Sequence, residues 1–407
     1  MQILYDSTRG GEKNVTASQA ILKGLADDGG LFVPQSVPAL DIDIQTLAGL
    51  SYKETAFEVM RRFLTDFTEE ELKYCIENAY DEKFEVPEAA RLRDCSKESF
   101  LELYHGKTIA FKDMALSILP YLMTTSASKN GMDKEIVILT ATSGDTGKAA
   151  MAGFADVPGT RIIVFYPKDG VSPVQERQMV TQKGENTCVI AVKGNFDDAQ
   201  TGVKKIFNDK ETAKRIGKAG FAFSSANSIN IGRLVPQVVY YVWSYAQMFK
   251  NGRIKAGEKI NFVVPTGNFG NILAAYYASK MGIPVNRLIC ASNVNNVLFD
   301  FFSTGVYNKN REFILTSSPS MDILVSSNLE RLIYESAGYD PEKCSGLMAR
   351  LRNEGVYETS DDMMKNMSLF TGEWASEEEC AEAILKYYKE FDYVIDTHTA
   401  VAAAAPK

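Results

Sequence analysis

Two kinds of hydrophobic pattern divide the chain. Through residues 1 to about 95, apolar residues recur at spacings of three and four, as in 44–64 and 69–80. That period is the stripe of an amphipathic helix, so this part is expected to be mainly helical. From about residue 99, short runs rich in Val, Ile and Phe take over, and most are followed by a Gly, Asn or Asp turn and then a helical pattern. The runs lie at 99–103, 136–139, 161–165, 188–192, 260–264, 288–291 and 393–395. Strands that are apolar on both faces and alternate with helices predict a parallel sheet covered on both sides. The fold class expected is therefore α/β, and a polar break at 126–131 suggests two sheet-based lobes. Ligands on such sheets sit beyond the carboxyl ends of the strands, which directs attention to the turns that follow the runs.

Composition narrows the function classes. The 407 residues are 45% hydrophobic and 24% charged, which is ordinary for a globular protein. A formal net charge of −8 gives no general attraction to nucleic acid or to an anionic membrane. Any anionic ligand must then be held by local cations and backbone dipoles. Six scattered cysteines without a C-x-x-C pair, and only two histidines, argue against a zinc site or a disulfide framework, so no metal is expected. The chain opens without a secretory h-region, and no stretch offers eighteen apolar residues in a row; 235–249 is interrupted by Pro236, Gln237, Ser244 and Gln247. A reduced, cytoplasmic, soluble protein with no membrane partner is expected.

Four turns carry candidate chemistry. The segment 105–113, His-Gly-Lys-Thr-Ile-Ala-Phe-Lys-Asp, follows a run and leads into an apolar helix. Its Lys112 stands between Phe111 and Asp113, and an apolar setting beside another cation is what frees a lysine amine of its proton for covalent chemistry. Alone, it reads more readily as a solvated lysine in a first helical turn. The segment 142–148, Thr-Ser-Gly-Asp-Thr-Gly-Lys, offers hydroxyls and amide groups at a helix start, a seat for a carboxylate or phosphate, or simply an N-capped helix. It does not match a G-x-x-x-x-G-K-[ST] phosphate loop at either end. The segment 265–271, Pro-Thr-Gly-Asn-Phe-Gly-Asn, brings two glycines into a strand-to-helix turn, where the backbone can approach a phosphate or merely turn tightly. The last, 396–400, Asp-Thr-His-Thr-Ala, reads as a hydroxyl donor to a ring nitrogen or as a helix cap, and His398 as a packed or capping residue.

Together with Tyr5-Asp-Ser-Thr-Arg-Gly10, Asp28-Gly-Gly-Leu-Phe-Val-Pro34 and Ser225-Ala-Asn-Ser-Ile-Asn-Ile-Gly-Arg233, these turns stand in the order seen in fold-type II pyridoxal-phosphate enzymes. The chain resembles the threonine synthases of the bacterial and fungal type nearly end to end. The resemblance implies a mainly helical N-terminal domain at 1–95, a large cofactor-binding α/β domain at 96–130 and 240–407, and a small α/β domain at 131–239. It implies pyridoxal 5'-phosphate as cofactor, with Lys112 forming the Schiff base and Phe111 near the ring. Gly267, Asn268, Phe269, Gly270 and Asn271 would hold the cofactor phosphate, and Thr399 would face the pyridine nitrogen as a neutral hydroxyl that does not enforce a protonated ring. Thr142, Ser143, Asp145 and Thr146 would receive the substrate α-carboxylate, and Lys148, Asn227, Ser228, Asn230 and Arg233 are candidates for the substrate phosphate. The reaction implied is conversion of O-phosphohomoserine and water to threonine and phosphate, by a monomer or homodimer. A threonine dehydratase of the same fold, or a non-catalytic relative, is the alternative. The family continues beyond the helix that follows Thr399, so a C-terminal tail is expected to be missing at Lys407.

Overall fold

In the computed structural model, which describes residues 2–142 and 144–406, the apolar runs in the middle of the chain form a four-stranded sheet whose pairings are all parallel. In spatial order its strands are Thr187–Val192, Thr160–Pro167, Glu135–Ala141 and Phe221–Ser224. The chain builds outward from Glu135–Ala141 on one side and then crosses to its other side. Where strand order reverses in this way, a crevice opens past the carboxyl end of the first strand. Two turns flank that crevice: 142–148 follows Glu135–Ala141, and 225–230 follows Phe221–Ser224.

This sheet belongs to a compact unit made of residues 1–5, 14–25 and 42–250. The helices Ile44–Gly49, Tyr52–Phe63 and Glu69–Ala79 lie in the same unit. At its centre runs the helix Ile231–Lys250, buried without interruption from Ile231 to Ala246 because its sequence is apolar on nearly every face. Pro236 removes one amide from that helix, and the Gln237 side chain donates to the Arg233 carbonyl at 2.8 Å. Tyr52 packs edge-on against Tyr80 and Trp243, with ring centroids 5.1 and 5.7 Å apart.

The second unit comprises residues 6–13, 26–41 and 251–407. Its sheet is also parallel, in the order Phe370–Trp374, Val285–Ser292, Ile260–Pro265. The helix Thr397–Ala404 packs against the strand Ile260–Pro265. Two early segments are fastened into this unit by charge. Arg9 forms a two-pronged pair with Glu330, Nε to Oε1 and Nη2 to Oε2, each 2.9 Å, and Thr8 donates its hydroxyl to the same Oε1 at 2.7 Å. Asp28 accepts from the Ser7 hydroxyl and from the amides of Gly11 and Gly30, all within 2.9 Å. The motifs at 5–10 and 28–34 are thus an internal fastening.

Five of the seven runs are strands of these two sheets; two are not. The 99–103 run lies in Glu98–Glu102, one arm of an antiparallel hairpin with Arg91–Cys95. A left-handed Ser96 makes its turn, and the polar sequence Arg-Leu-Arg-Asp-Cys hides the partner strand. The 393–395 run forms no strand. Asp392, in the left-handed region, ends the helix Glu377–Phe391 and Asp396 caps the next, leaving three residues between two helices. The pattern at 44–64 is two helices, because the first ends at an extended Leu50 and Ser51 caps the second with a capping box to Glu54. The strands Phe221–Ser224 and Phe370–Trp374 escaped the pattern: one is four residues long, and the other contains Gly372, where a Cβ would come 2.7 Å from the Phe299 Cα.

Candidate active site

The loop that carries Lys112 is pinned at both ends. Before it, buried His105 lies between two carboxylates, Nδ1 at 2.8 Å from Glu85 and Nε2 at 2.9 Å from Glu102. After it, buried Asp113 accepts the Thr108 amide at 2.8 Å and the Thr108 hydroxyl at 2.6 Å. Burial raises the Asp113 pKa despite these bonds. Gly106 has no alternative, since a Cβ there would sit 2.6 Å from that of Asp113.

Lys112 opens the helix Asp113–Leu116 with a side chain only 12% exposed. Its Nζ lies 4.8 Å from the centroid of the Phe111 ring and 3.5 Å from Asp145 Oδ2. Burial is the main cause that lowers its pKa; Arg233 and Lys148 push the same way and Asp145 opposes them. The amine therefore sheds its proton more readily than a surface lysine, as covalent chemistry with a carbonyl requires.

The turn 142–148 holds itself in place. The Thr142 hydroxyl accepts the amides of Gly144 and Gly147, each at 2.9 Å. Gly144 has φ 143°, closed to other residues, and a Cβ would also fall 2.2 Å from Gln175 Oε1. Asp145 is an electrostatic bridge: it takes the Gln175 amide at 2.9 Å and faces Lys148 at 3.2 Å as well as Lys112. Its carboxylate would repel another, so what this turn offers an anion is its helix-start amides and Thr146, which stands in the first turn. Ser143 lies outside the described residues.

Around 225–233, the candidates separate. Asn230 is occupied, donating to the Ile21 carbonyl at 2.9 Å and accepting the Gly232 amide at 2.8 Å, so its side chain staples the backbone. Asn227 is exposed and Ser228 half-buried. Arg233 is 3% exposed, yet no carboxylate among the described residues pairs with it. One Nη donates to the Ala226 carbonyl at 3.0 Å, while Nε has no acceptor among the described residues. Burial pushes its pKa down to about 10, which still leaves it charged at neutral pH. A buried guanidinium without a counter-charge is costly, and an anion relieves that cost.

In the second unit, the turn 267–271 follows the strand Ile260–Pro265 and opens the helix Gly270–Lys280. Ser326 donates its hydroxyl to the Gly267 carbonyl at 2.5 Å, and Asn328 donates its amide and its side chain to the Asn268 carbonyl, each at 3.0 Å. Fully buried Arg331 bonds to Asn328 and to the Phe32 carbonyl. Phe269 is left-handed at φ 66°, its buried ring 5.5 Å from that of Phe370. With the carbonyls of 267 and 268 tied down from behind, the amides of Gly267, Asn268, Phe269 and Gly270 have no protein acceptor among the described residues. A Cβ at Gly267 would come 2.5 Å from the Ser320 carbonyl. Free amides at a helix start, backed by glycine, fit a phosphate. Asn271 is half-buried in the first turn of the same helix.

Thr399 is half-buried and its hydroxyl donates to Asp396. Asp396 falls to a pKa of about 2: burial would raise it, but hydrogen bonds from His398 and Thr399 and the nearby imidazole outweigh that. Sequence reasoning missed the supporting residues Gln175, Ser320, Ser326 and Asn328; of these only Gln175 left a sign, the Ser172-x-x-Gln175 capping box. Asp396 is the helix cap that the 396–400 segment offered as one of its readings. Among the described residues no cluster of His, Cys, Asp and Glu could hold a metal, and no helix is long and apolar enough to cross a membrane.

Residues 4–80 match a family described as threonine synthase N terminus, and residues 99–407 match the pyridoxal-phosphate dependent enzyme family. The human protein named threonine synthase-like 1 is 40% identical over 96% of the chain, which spans about half (54%) of that relative's length. The threonine synthase of Schizosaccharomyces pombe is 38% identical over 98% of the chain and 82% of its own. Among solved structures, the pyridoxal-phosphate-bound threonine synthase from Brucella melitensis superposes with a TM-score of 0.92 at 36% identity, covering 99% of this chain and 85% of the other. The yeast threonine synthase gives 0.90 at 35% identity, with coverages of 99% and 83%.

Proposed function

The chain belongs to the threonine synthase family of pyridoxal-phosphate-dependent enzymes, and on that premise we propose that it is a carbon–oxygen lyase converting O-phosphohomoserine and water to L-threonine and phosphate. The observation that carries this reading is Lys112, a buried amine with a lowered pKa on a loop clamped at both ends. When bound, pyridoxal phosphate supplies the electron sink that makes protons next to an amino-acid carbon removable. In this reading Lys112 holds the cofactor covalently and then carries the proton at the substrate Cα. The loop's two clamps keep Nζ at a fixed position, and Phe111 shields the amine from water. Asp145, beside Lys112 and Lys148, balances the cations when Nζ takes up a proton.

The amides and hydroxyl at the start of the helix Asp145–Phe154 orient the substrate α-carboxylate. Arg233 supplies the cation for the substrate phosphate, since its Nε lacks an acceptor, and Lys148 adds a second positive charge. The turn 267–271 holds the cofactor phosphate through its free amides.

The direct test is to follow phosphate release and threonine formation from O-phosphohomoserine with purified protein. Equal yields of the two products are expected, with loss of both in Lys112→Ala. Formation of a ketoacid from threonine, without phosphate release from O-phosphohomoserine, would instead point to a dehydratase and overturn the proposal.

A further inference from the structure

The strand Thr187–Val192 is an edge of the four-stranded sheet, with Thr160–Pro167 on one side and no strand on the other among the described residues. The amides of Ile162 and Lys168 donate to the carbonyls of Asn186 and Val192, each at 3.0 Å. Backbone groups alternate sides along a strand, so Cys188 and Ile190 also face inward, while Thr187, Val189 and Ala191 turn theirs outward. The Thr187 amide closes back on the Gly184 carbonyl at 3.4 Å, but the outward groups of Val189 and Ala191 have no backbone partner among the described residues. An open edge is ordinarily blunted by a lysine, a proline or a bulge, or covered by a helix. Thr-Cys-Val-Ile-Ala-Val carries neither charge nor proline, and its pairing runs without a shift of register. The opposite edge, Phe221–Ser224, is shorter and packs against the helix Lys210–Lys218. Cys188 and Ile190 are exposed side by side on one face, Ile190 by 39%.

We propose that this edge docks a second copy of the chain, the two strands running antiparallel about a two-fold axis at Val189. Charge at the strand ends selects both orientation and register. Exposed Glu185 stands just before the strand and exposed Lys193 just after it. A parallel copy would set like charge beside like, whereas this antiparallel register brings Glu185 of each copy opposite Lys193 of the other. Sliding one strand by two residues sets Lys183 against Lys193 in one direction and gives Lys193 only Thr187 in the other. In the favoured register Val189 exchanges both its bonds with its counterpart, and each Ala191 amide meets the Thr187 carbonyl across the axis. Cys188 then lies opposite Ile190, so the exposed apolar pair of each copy is covered by that of the other. A single strand pair buries little area, which makes the dimer weak and dependent on concentration.

The test uses the full-length chain in two forms, the wild type and the double variant Cys188→Ser with Ile190→Cys, oxidised gently by dissolved oxygen at high protein concentration. The other cysteines are buried, so position 188 or 190 reports alone. Residues opposite each other in a pair without hydrogen bonds lie within disulfide reach. A covalent dimer is expected in the mixture of the two forms and in neither form by itself. Sedimentation of the reduced wild type should show a reversible dimer, its dissociation constant rising about tenfold in Lys193→Glu, which turns both end pairs repulsive. A covalent dimer of the wild type alone, no covalent dimer in the mixture, or a reduced dimer indifferent to Lys193→Glu would each overturn the proposal. None of these outcomes bears on the chemistry at Lys112.

Discussion

Burying an amine costs stability, and Lys112 shows where that cost falls. Its pKa is lowered in the folded chain, so at neutral pH the protonated amine is less favourable folded than unfolded. The cost is present below the folded value and fades as pH rises through it, because the amine is then neutral when folded. Lys112→Met should therefore raise the melting temperature at neutral pH, by about 1–2 kcal/mol of stability, and the gain should shrink in alkaline buffer. A melting curve with no gain, or a gain growing with pH, would contradict this. Arg233 is part of the same balance: Arg233→Ala removes a repelling cation, so the Lys112 midpoint should move up, readable as slower acylation of that amine at fixed pH by mass spectrometry. The same variant should raise KM for O-phosphohomoserine by about tenfold or more, since one charge-assisted contact is worth ~1.5–3 kcal/mol. Lys112, the glycine turn and Arg233 could be proposed from one dimension because each brings a residue type whose chemistry is its own. The partners of Asn230, spent on the Ile21 carbonyl, and of Asp396, spent on Thr399, could not be, because a hydrogen-bond partner is a fact of three dimensions.

Among elements, strand-to-helix turns are the most constrained by the fold. Gly267 lies against the backbone carbonyl of Ser320, which cannot swing aside as a side chain would. Gly267→Ala should thus cost about 1–3 kcal/mol locally and weaken pyridoxal phosphate binding, with helix content by circular dichroism unchanged. Retained affinity would show that the 267–271 turn is not the phosphate seat. The buried strands were readable because apolar runs between helices leave few alternatives. Failures came where local signals competed: Asp392 and Asp396 left no length for a strand at 393–395, and the polar Arg91–Cys95 found a hairpin partner that composition did not announce.

Taking the chain as a whole, residues far apart in sequence close each unit. The second unit takes its early segments at 6–13 and 26–41, and the Arg9–Glu330 pair joins positions more than three hundred residues apart. Arg9→Ala would leave a largely buried carboxylate without its partner, a loss of about 3 kcal/mol that thermal unfolding should report. Asp28 works in the same fastening. Its pKa is lowered because the bonds from Gly30, Ser7 and Gly11 outweigh burial, so its contribution is present above its unfolded pKa and disappears as pH falls through the folded value. The early motifs could be recognised in the sequence, but their mechanical purpose could not, because nothing local links position 9 to position 330. The proposed function rests on one amine, that of Lys112. The most direct test of that claim is to treat holoenzyme with borohydride, digest it and find the lysine that carries the pyridoxyl group. One pyridoxyl per chain on Lys112, absent from Lys112→Ala, is predicted; the label on another lysine, or on none, would contradict the account.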